Sequence, residues 1–295
     1  MKKILPILFL FFTFCSDKQT DTTQEEWIEM SKKFSGFIDK DEFDSALSIA
    51  NNRMRIAESS SNDLWKADAN NDLGLILMYF GQLEKSEKYY IKSIDYHEDA
   101  GTLYGLSLVQ RRLGKYDEAY LNATKSYELY RSDSTTKQED LNFSKLSLAS
   151  ILNGQQKFEE SAKLVNEVIL FAQHETDSTL LMESMDMLGS ICVYSGQPEK
   201  AHPLYKKLIK YYESQDLPIK TAESYNDLGT VFHQQNEYDS AIAYYRKSME
   251  LKLQRTQDSS IILVNLANIA NAYGRLNEPD KEKELRSLID RIKRQ

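Results

Sequence analysis

Glycine and proline are scarce in this chain, which has 11 glycines and 5 prolines among 295 residues. Folds built from many short strands need tight turns, and these two residues supply most of them, so an all-β fold is excluded. The two cysteines, Cys15 and Cys192, are too few for a disulfide framework. Positive charge is in deficit, because 37 Lys and Arg face 45 Asp and Glu for a net charge of −8. No binding to nucleic acid through phosphate neutralisation is therefore expected.

Motifs of common catalytic sites are missing as well. The four histidines are scattered along the chain, and none belongs to an H-E-x-x-H pair or stands beside a cysteine at metal-ligand spacing. The sequence has no G-x-x-x-x-G-K-[ST], G-x-G-x-x-G or G-x-S-x-G motif. We therefore expect a protein that is not an enzyme and that carries no catalytic residue, metal or cofactor. The enzymatic alternative would require a bound metal or nucleotide.

The first fifteen residues are typical of an export signal. Two lysines are followed by an apolar run over residues 4–14, which is too short to span a bilayer and ends at Cys15. This layout resembles a bacterial lipoprotein signal, which implies a lipid on Cys15 and a flexible polar tether over residues 16–26. Such signals usually have Leu and a small residue where this chain has Phe12 and Phe14. An ordinary secreted leader is the alternative, and both predict export to the periplasmic or cell-surface side.

Two stretches of the chain are near copies of one another, residues 71–95 and 226–250. Between and around them, apolar residues recur every three or four positions, which predicts amphipathic helices from residue 27 to residue 295. Seven units of about forty residues can be laid out on this pattern. They begin near Trp27, Ala67, Ala100, Asn142, Met182, Ala222 and Leu263.

Each unit predicts two helices joined by a tight turn. The first helix has a small residue in its middle, such as Gly189 or Gly229, where the second helix must come close. Tyr90, Tyr205 and Tyr245 provide the bulk that fills the space between units. Gly and Asn tolerate the left-handed conformation that ends a helix. They follow the first helix at Gly81, Gly114, Gly196, Asn236 and Asn277.

The second helix then opens on a recurring acidic pattern, such as KYDEA at 115–119 or EYDSA at 237–241. Asp133, Asp177 and Asp258 each precede a serine and are candidate caps for the next first helix. Acidic residues in a first turn favour the helix dipole. Both features place helix starts where the apolar pattern also begins.

These patterns, with LG at 73–74 and 228–229, resemble the tetratricopeptide repeat family in its longer variants, as in kinesin light chain-like arrays. The resemblance implies an all-α fold. Over residues 27–295 it implies an α-solenoid of about seven helix-turn-helix repeats that form a right-handed superhelix. An unrelated helical bundle is the alternative.

In this family the first helices line a concave face, and side chains that are not used for packing point into it. The resemblance therefore implies a groove that binds a peptide or a protein. The side chains expected in this groove are Asn71, Met78, Tyr104, Leu108, Arg111, Phe143, Leu146, Glu183, Asp186, Glu223, Asn226 and His233, with Asn153 and Ser190 beside them.

A partner segment would be anchored by four apolar members of this set, Tyr104, Leu108, Phe143 and Leu146. Glu183, Asp186 and Glu223 would favour basic residues in that segment. Alternatively, the apolar residues pack on a neighbouring unit. The predicted function is a membrane-tethered protein-interaction scaffold; an outer-membrane assembly lipoprotein and the input domain of a bacterial signalling system are the alternatives.

Overall fold

The computed structural model describes residues 11–255 and 258–294, with side chains from residue 24 onward. The described residues form fourteen α-helices, divided between an N-terminal unit, Met1–Thr136, and a C-terminal unit, Lys137–Gln295. The N-terminal unit has α1 Phe11–Ile38, α2 Phe43–Glu58, α3 Asp63–Tyr79, α4 Leu83–Tyr96, α5 Ala100–Arg112 and α6 Tyr116–Ser132. The C-terminal unit has α7 Gln138–Gly154, α8 Phe158–His174, α9 Ser178–Tyr194, α10 Pro198–Ser214, α11 Pro218–Gln234, α12 Tyr238–Leu253, a 3-10 turn at Ser259–Ile262, α13 Leu263–Arg275 and α14 Pro279–Ile292.

Within each unit the helices are packed in the order of the chain. Every helix contacts the one before and the one after it in its unit, and the first helices of successive pairs, such as α3 and α5 or α9 and α11, also contact each other. This is the arrangement of helix-turn-helix repeats stacked side by side. The prediction of an all-α solenoid with seven helix pairs is confirmed for the described residues.

Small residues of the first helices lie directly against tyrosines of the second helices. A Cβ atom added to Gly229 would lie 2.7 Å from the Tyr245 ring, and one added to Gly189 would lie 2.8 Å from Cζ of Tyr205. Both tyrosines are 2 % exposed. Each ring therefore occupies the space that the missing side chain leaves, as the sequence predicted.

The turns between paired helices use the left-handed conformation. All five predicted turn residues have positive φ, between 58° at Asn277 and 76° at Gly114. Four further residues, at other helix ends, share this conformation although they are neither Gly nor Asn. They are Asp41, Gln156, Thr176 and Asp216.

Of the three predicted aspartate caps, Asp177 is confirmed, whereas Asp258 caps the 3-10 turn ahead of α13 and not α13 itself, whose N-cap is Ile262. Asp177 accepts a hydrogen bond from the Leu180 amide at 3.0 Å at the start of α9. Asp258 accepts one from the Ser260 amide at 2.8 Å, at the 3-10 turn before α13. The prediction for Asp133 is wrong as a helix cap. Its carboxylate caps an isolated turn at the Thr135 amide, since α7 begins at Gln138.

The N-terminal segment enters the described part of the chain as helix. Residues 16–26, predicted as a flexible tether, fall within α1, and so does the backbone of Cys15. Residues 1–10 of the predicted leader and the side chain of Cys15 lie outside the described residues. Across residues 11–255 and 258–294, no helix combines the length and the apolar character needed to cross a bilayer.

A cluster of aromatic and charged side chains joins the first three helices. Trp27 of α1 stacks on Trp65 of α3, with ring centroids 4.8 Å apart. The Arg53 guanidinium of α2 lies 4.2 Å above the Trp27 ring and forms an ion pair with Asp72 of α3. Arg53 is 2 % exposed and Asp72 is 6 % exposed. Asp68 accepts a further hydrogen bond from the Trp27 indole at 3.3 Å. A buried ion pair therefore ties the second helix to the third.

Candidate functional site

The predicted groove residues all lie on first helices of the pairs. Asn71 and Met78 are on α3, and Tyr104, Leu108 and Arg111 are on α5, all in the N-terminal unit. The remaining seven belong to α7, α9 and α11 of the C-terminal unit. Each group is described within its own unit.

In the N-terminal unit, packing accounts for much of the predicted surface. Met78 is 7 % exposed and lies in a cluster with Tyr90, Leu106 and Val109, against which Leu108 also packs. These contacts favour the alternative in which the apolar residues pack on a neighbouring helix pair.

The polar residues of this group are also partly used inside the unit. The Asn71 side-chain oxygen accepts a hydrogen bond from the Thr102 hydroxyl at 3.3 Å. Arg111 is half-buried, and burial, together with the charge of Arg112, lowers the pKa of its guanidinium. Its Nε atom is buried and has no hydrogen-bond partner among the described residues.

The C-terminal unit contains a cavity that several predicted residues line. Its volume is about 380 Å³. Leu146 of α7, Glu183 and Asp186 of α9 and Glu223 of α11 are in its wall, as are Asn153 and Ser190. The other lining residues are Ser150, Met187, Tyr212, Lys220 and Ser224. We call this space the acidic cavity.

Burial and neighbouring charges shift the pKa values of two carboxylates in the acidic cavity. The pKa of Asp186 is raised to about 6, chiefly by burial, with Lys220 opposing the shift and the charges of Glu223 and Glu183 adding to it. Burial also raises the pKa of Glu183, again against the effect of Lys220. The side chain of Asp186 is nevertheless exposed to solvent, so the protein atoms that raise its pKa surround it without closing the cavity.

Asp227 is a fourth carboxylate, which is not in the cavity wall but interacts with Asp186. Burial raises the pKa of Asp227 to about 7, and the charge of Asp186 is the next cause. The cavity wall thus contains three carboxylates and one cation, Lys220, and Asp227 adds a further carboxylate outside the wall. The Nζ atom of Lys220 is 3.3 Å from Glu223. The cavity has an excess of negative charge that the side chains of its own wall do not balance.

The other three predicted residues of the C-terminal unit are not in the wall of this cavity. Phe143 is half-buried on α7. The Asn226 side-chain oxygen accepts hydrogen bonds from Asn265 at 3.2 Å and Asn268 at 3.1 Å, so it links α11 to α13. His233 packs edge-on against Tyr238 at 5.2 Å, and burial followed by Arg275 lowers its pKa. Asn226 therefore has a structural role that the sequence did not predict.

Sequence reasoning missed Tyr212 and Lys220, two lining residues that matter chemically. Tyr212 belongs to α10, a second helix, whereas the family resemblance placed the groove on first helices. Lys220 is in the first turn of α11, ahead of the repeated pattern that identified the unit. A lysine near the positive end of a helix dipole is unusual, and this was the one signal that could have drawn attention to it.

Cys192 lies away from the acidic cavity. It is half-buried and packs on a core cluster between α9 and α10, in the wall of a second, mostly apolar cavity of about 370 Å³. Burial raises the pKa of its thiol. A raised thiol pKa lowers reactivity, which agrees with a packing role for Cys192.

Comparison with known proteins identifies the repeat. Residues 67–99 and 222–255 match the profile of the tetratricopeptide repeat. The tetratricopeptide repeat is thereby identified in these two segments. The two matches coincide with the helix pairs α3–α4 and α11–α12, whose sequences are the near copies. A search of curated protein sequences gave no significant match.

Solved structures share the tetratricopeptide repeat fold over most of the chain. A tetratricopeptide repeat protein from Parabacteroides merdae ATCC 43184 is 12% identical with a TM-score of 0.62, covering 91% of this chain and 97% of that one. A Rap protein complexed with competence and sporulation factor is 12% identical with a TM-score of 0.62, covering 92% and 98%. NprR in complex with its cognate peptide NprX is 12% identical with a TM-score of 0.65, covering 92% and 79%. At such identities the likeness shows the fold alone.

Proposed function

We propose that this chain is a non-enzymatic scaffold that binds a peptide, or an extended segment of a protein, in the acidic cavity. The observation that carries the proposal is the composition of the cavity wall. Met187 offers half-buried apolar surface beside Glu183, Asp186 and Glu223, and Leu146, which is 6 % exposed, adds little to it. Burial of apolar groups supplies affinity, while fixed charges choose between partners.

The charge of the wall sets the expected chemistry of the partner. An excess of carboxylates disfavours acidic segments and favours basic ones. A protein of similar fold supports a peptide as the class of ligand, because NprR was solved with its cognate peptide NprX. We therefore expect a basic peptide segment and neither nucleic acid nor a small cofactor.

Filling the acidic cavity should abolish this binding. Ser190 lines the cavity and is half-buried, so Ser190→Trp would place an indole in the space that the partner needs. Wild-type protein is screened against an immobilised library of random peptides, and the enriched sequences are then tested with the variant. We expect the variant to lose at least about tenfold in affinity, equivalent to 1.4 kcal/mol.

Ser214→Trp is the matched control, since Ser214 is an exposed residue at the end of α10. It should bind the enriched peptides as the wild type does. Circular dichroism checks that both variants keep their helices. A library from which the wild type enriches nothing, or equal binding by the two variants, would disprove the proposed site.

We further propose that the leader exports the chain and that a lipid on Cys15 holds it to a membrane on the periplasmic or cell-surface side. The basic start, the apolar run and the cysteine at its end support this. Cys15→Ser should move the protein from the membrane fraction to the soluble exported fraction, while Cys192→Ser should leave its distribution unchanged. Membrane retention of the Cys15 variant would refute the anchor.

A second candidate function is the input domain of a signalling system, in which the bound peptide is the signal. The quorum-sensing and sporulation proteins of similar fold favour this over a role in outer-membrane assembly. The two candidates differ in the size of the ligand that they require. A sensor would bind a short free peptide with full affinity, whereas an assembly scaffold would require its folded partner.

A further inference from the structure

The acidic cavity contains acceptors that none of the described residues satisfies, and this narrows the chemistry of the ligand. Resting on the proposed function, we propose that the cavity seats one arginine side chain of the bound segment. In the empty protein, Lys220 takes the place of that arginine at the carboxylates.

Tyr212 provides evidence for a ligand that is independent of the acidic residues. It lines the cavity and is 8 % exposed. Burial raises the pKa of its hydroxyl to about 12, and the charges of Asp186, Glu183 and Glu223 contribute in turn. This hydroxyl has no hydrogen-bond partner in the part of the chain that the structure describes, although most of the residue's surface is buried. The oxygen itself is not one of the enclosed atoms, so Tyr212 can bond to a ligand group in the cavity in place of water.

The side chain of Asn153 adds an unsatisfied acceptor to the same wall. Its oxygen is buried and accepts no hydrogen bond from any described residue, while the rest of the residue lines the cavity. Leaving such a group unsatisfied costs about 1–3 kcal/mol. A ligand donor recovers this cost once the Asn153 side chain turns its oxygen toward the cavity.

The acceptors of the cavity match a guanidinium better than an ammonium. Three carboxylates, an amide oxygen and a phenol oxygen come from four helices, α7, α9, α10 and α11, and so approach from different directions. An arginine has five N–H donors in one plane and keeps its charge, while a lysine concentrates three donors at a single point. Met187 offers apolar contact to the methylene stem.

Lys220 fits the role of an internal competitor. Its ammonium group is 3.3 Å from Glu223, and both side chains are more than half exposed, so the pair can separate at low cost. Its charge is also the main one opposing the raised pKa values of Asp186 and Glu183. A cation in the first turn of α11 interacts unfavourably with the helix dipole. The favourable interaction of Lys220 is with the carboxylates of the cavity.

The first test compares two peptides by fluorescence anisotropy. Fluorescein-labelled hexa-arginine and hexa-lysine carry equal charge and differ in the donor group. We expect hexa-arginine to bind the wild type several-fold more tightly. Glu183→Gln should weaken hexa-arginine binding about tenfold, because a hydrogen bond to a charged group contributes about 1.5–3 kcal/mol. Glu160→Gln, an identical change at an exposed site on α8, should have little effect.

The second test removes the internal competitor. Lys220→Met should tighten hexa-arginine binding several-fold, whereas Lys210→Met, which changes the net charge equally at an exposed site on α10, should not. Equal affinities for the two peptides, or equal behaviour of the two lysine variants, would overturn the inference. If library peptides depend on an open cavity but contain no arginine, this inference fails while the proposed function stands. If no peptide is enriched at all, the proposed function fails first.

Discussion

Replacing Arg53 with methionine should lower the free energy of unfolding of the N-terminal unit by about 3–5 kcal/mol, because it leaves a buried carboxylate without its partner. Arg53 is 2 % exposed, and its guanidinium is ion-paired with Asp72, which is 6 % exposed. The same group lies over the Trp27 ring, so one change removes the ion pair and the cation–π contact together. Urea unfolding followed by tryptophan fluorescence measures the effect where it occurs, since both tryptophans of the chain, Trp27 and Trp65, belong to this cluster.

Two further variants separate the buried charge from a general loss of arginine. Arg55→Ala changes an exposed arginine on the same helix, bonded to Asn52, and should alter stability by less than about 0.5 kcal/mol. Arg53→Met combined with Asp72→Leu removes both charges and should recover most of the loss, because a buried ion pair contributes little net stability. Equal stability of the Arg53 and Arg55 variants would contradict the assignment.

Gly229→Ala should destabilise the C-terminal unit by about 1–3 kcal/mol through overpacking. The added Cβ would meet the Tyr245 ring at 2.7 Å and the Ala241 backbone oxygen at 3.2 Å. Tyr245 is 2 % exposed, so its ring has little room to move, and displacement would also break its hydrogen bond to Thr230. Thermal unfolding followed by circular dichroism gives the comparison.

Gly36→Ala makes the same chemical change on α1, where nothing lies within 4 Å of the added atom. Here alanine should stabilise the helix by about 0.5–1 kcal/mol, because glycine loses more backbone entropy on folding. The two substitutions therefore have opposite expected signs. If Gly229→Ala also stabilised the protein, the close approach of the paired helices would be wrong.

The helix pairs could be predicted because their signals are local. Apolar spacing, small residues at the helix contact and glycine or asparagine at the turns all act within one unit, and the unit recurs. The left-handed turns at Gln156 and Thr176 could not be predicted, since their residue types give no such signal and the packed helices on either side impose the conformation. The prediction that Asp133 caps a helix was wrong for a related reason. The sequence alone does not show how long the connector between Asp133 and α7 is.

The site was predicted only in part, because its outline depends on contacts between units. Helical spacing placed Leu146, Glu183 and Asp186 on one face, and in the structure all three line one cavity. The same spacing could not show that Met78 is covered by its neighbours or that Asn226 bonds to α13. Those outcomes are decided by side chains of the next helix pair, which one unit's pattern does not contain.

Packing in chain order also bears on how this protein forms. Within each unit a helix contacts chiefly the helices next to it in sequence, so the loops that must close during folding are short. Proteins dominated by local contacts fold quickly, and a pair of helices can associate while later parts of the chain are still being synthesised. Each completed pair then offers an apolar surface on which the following pair can assemble.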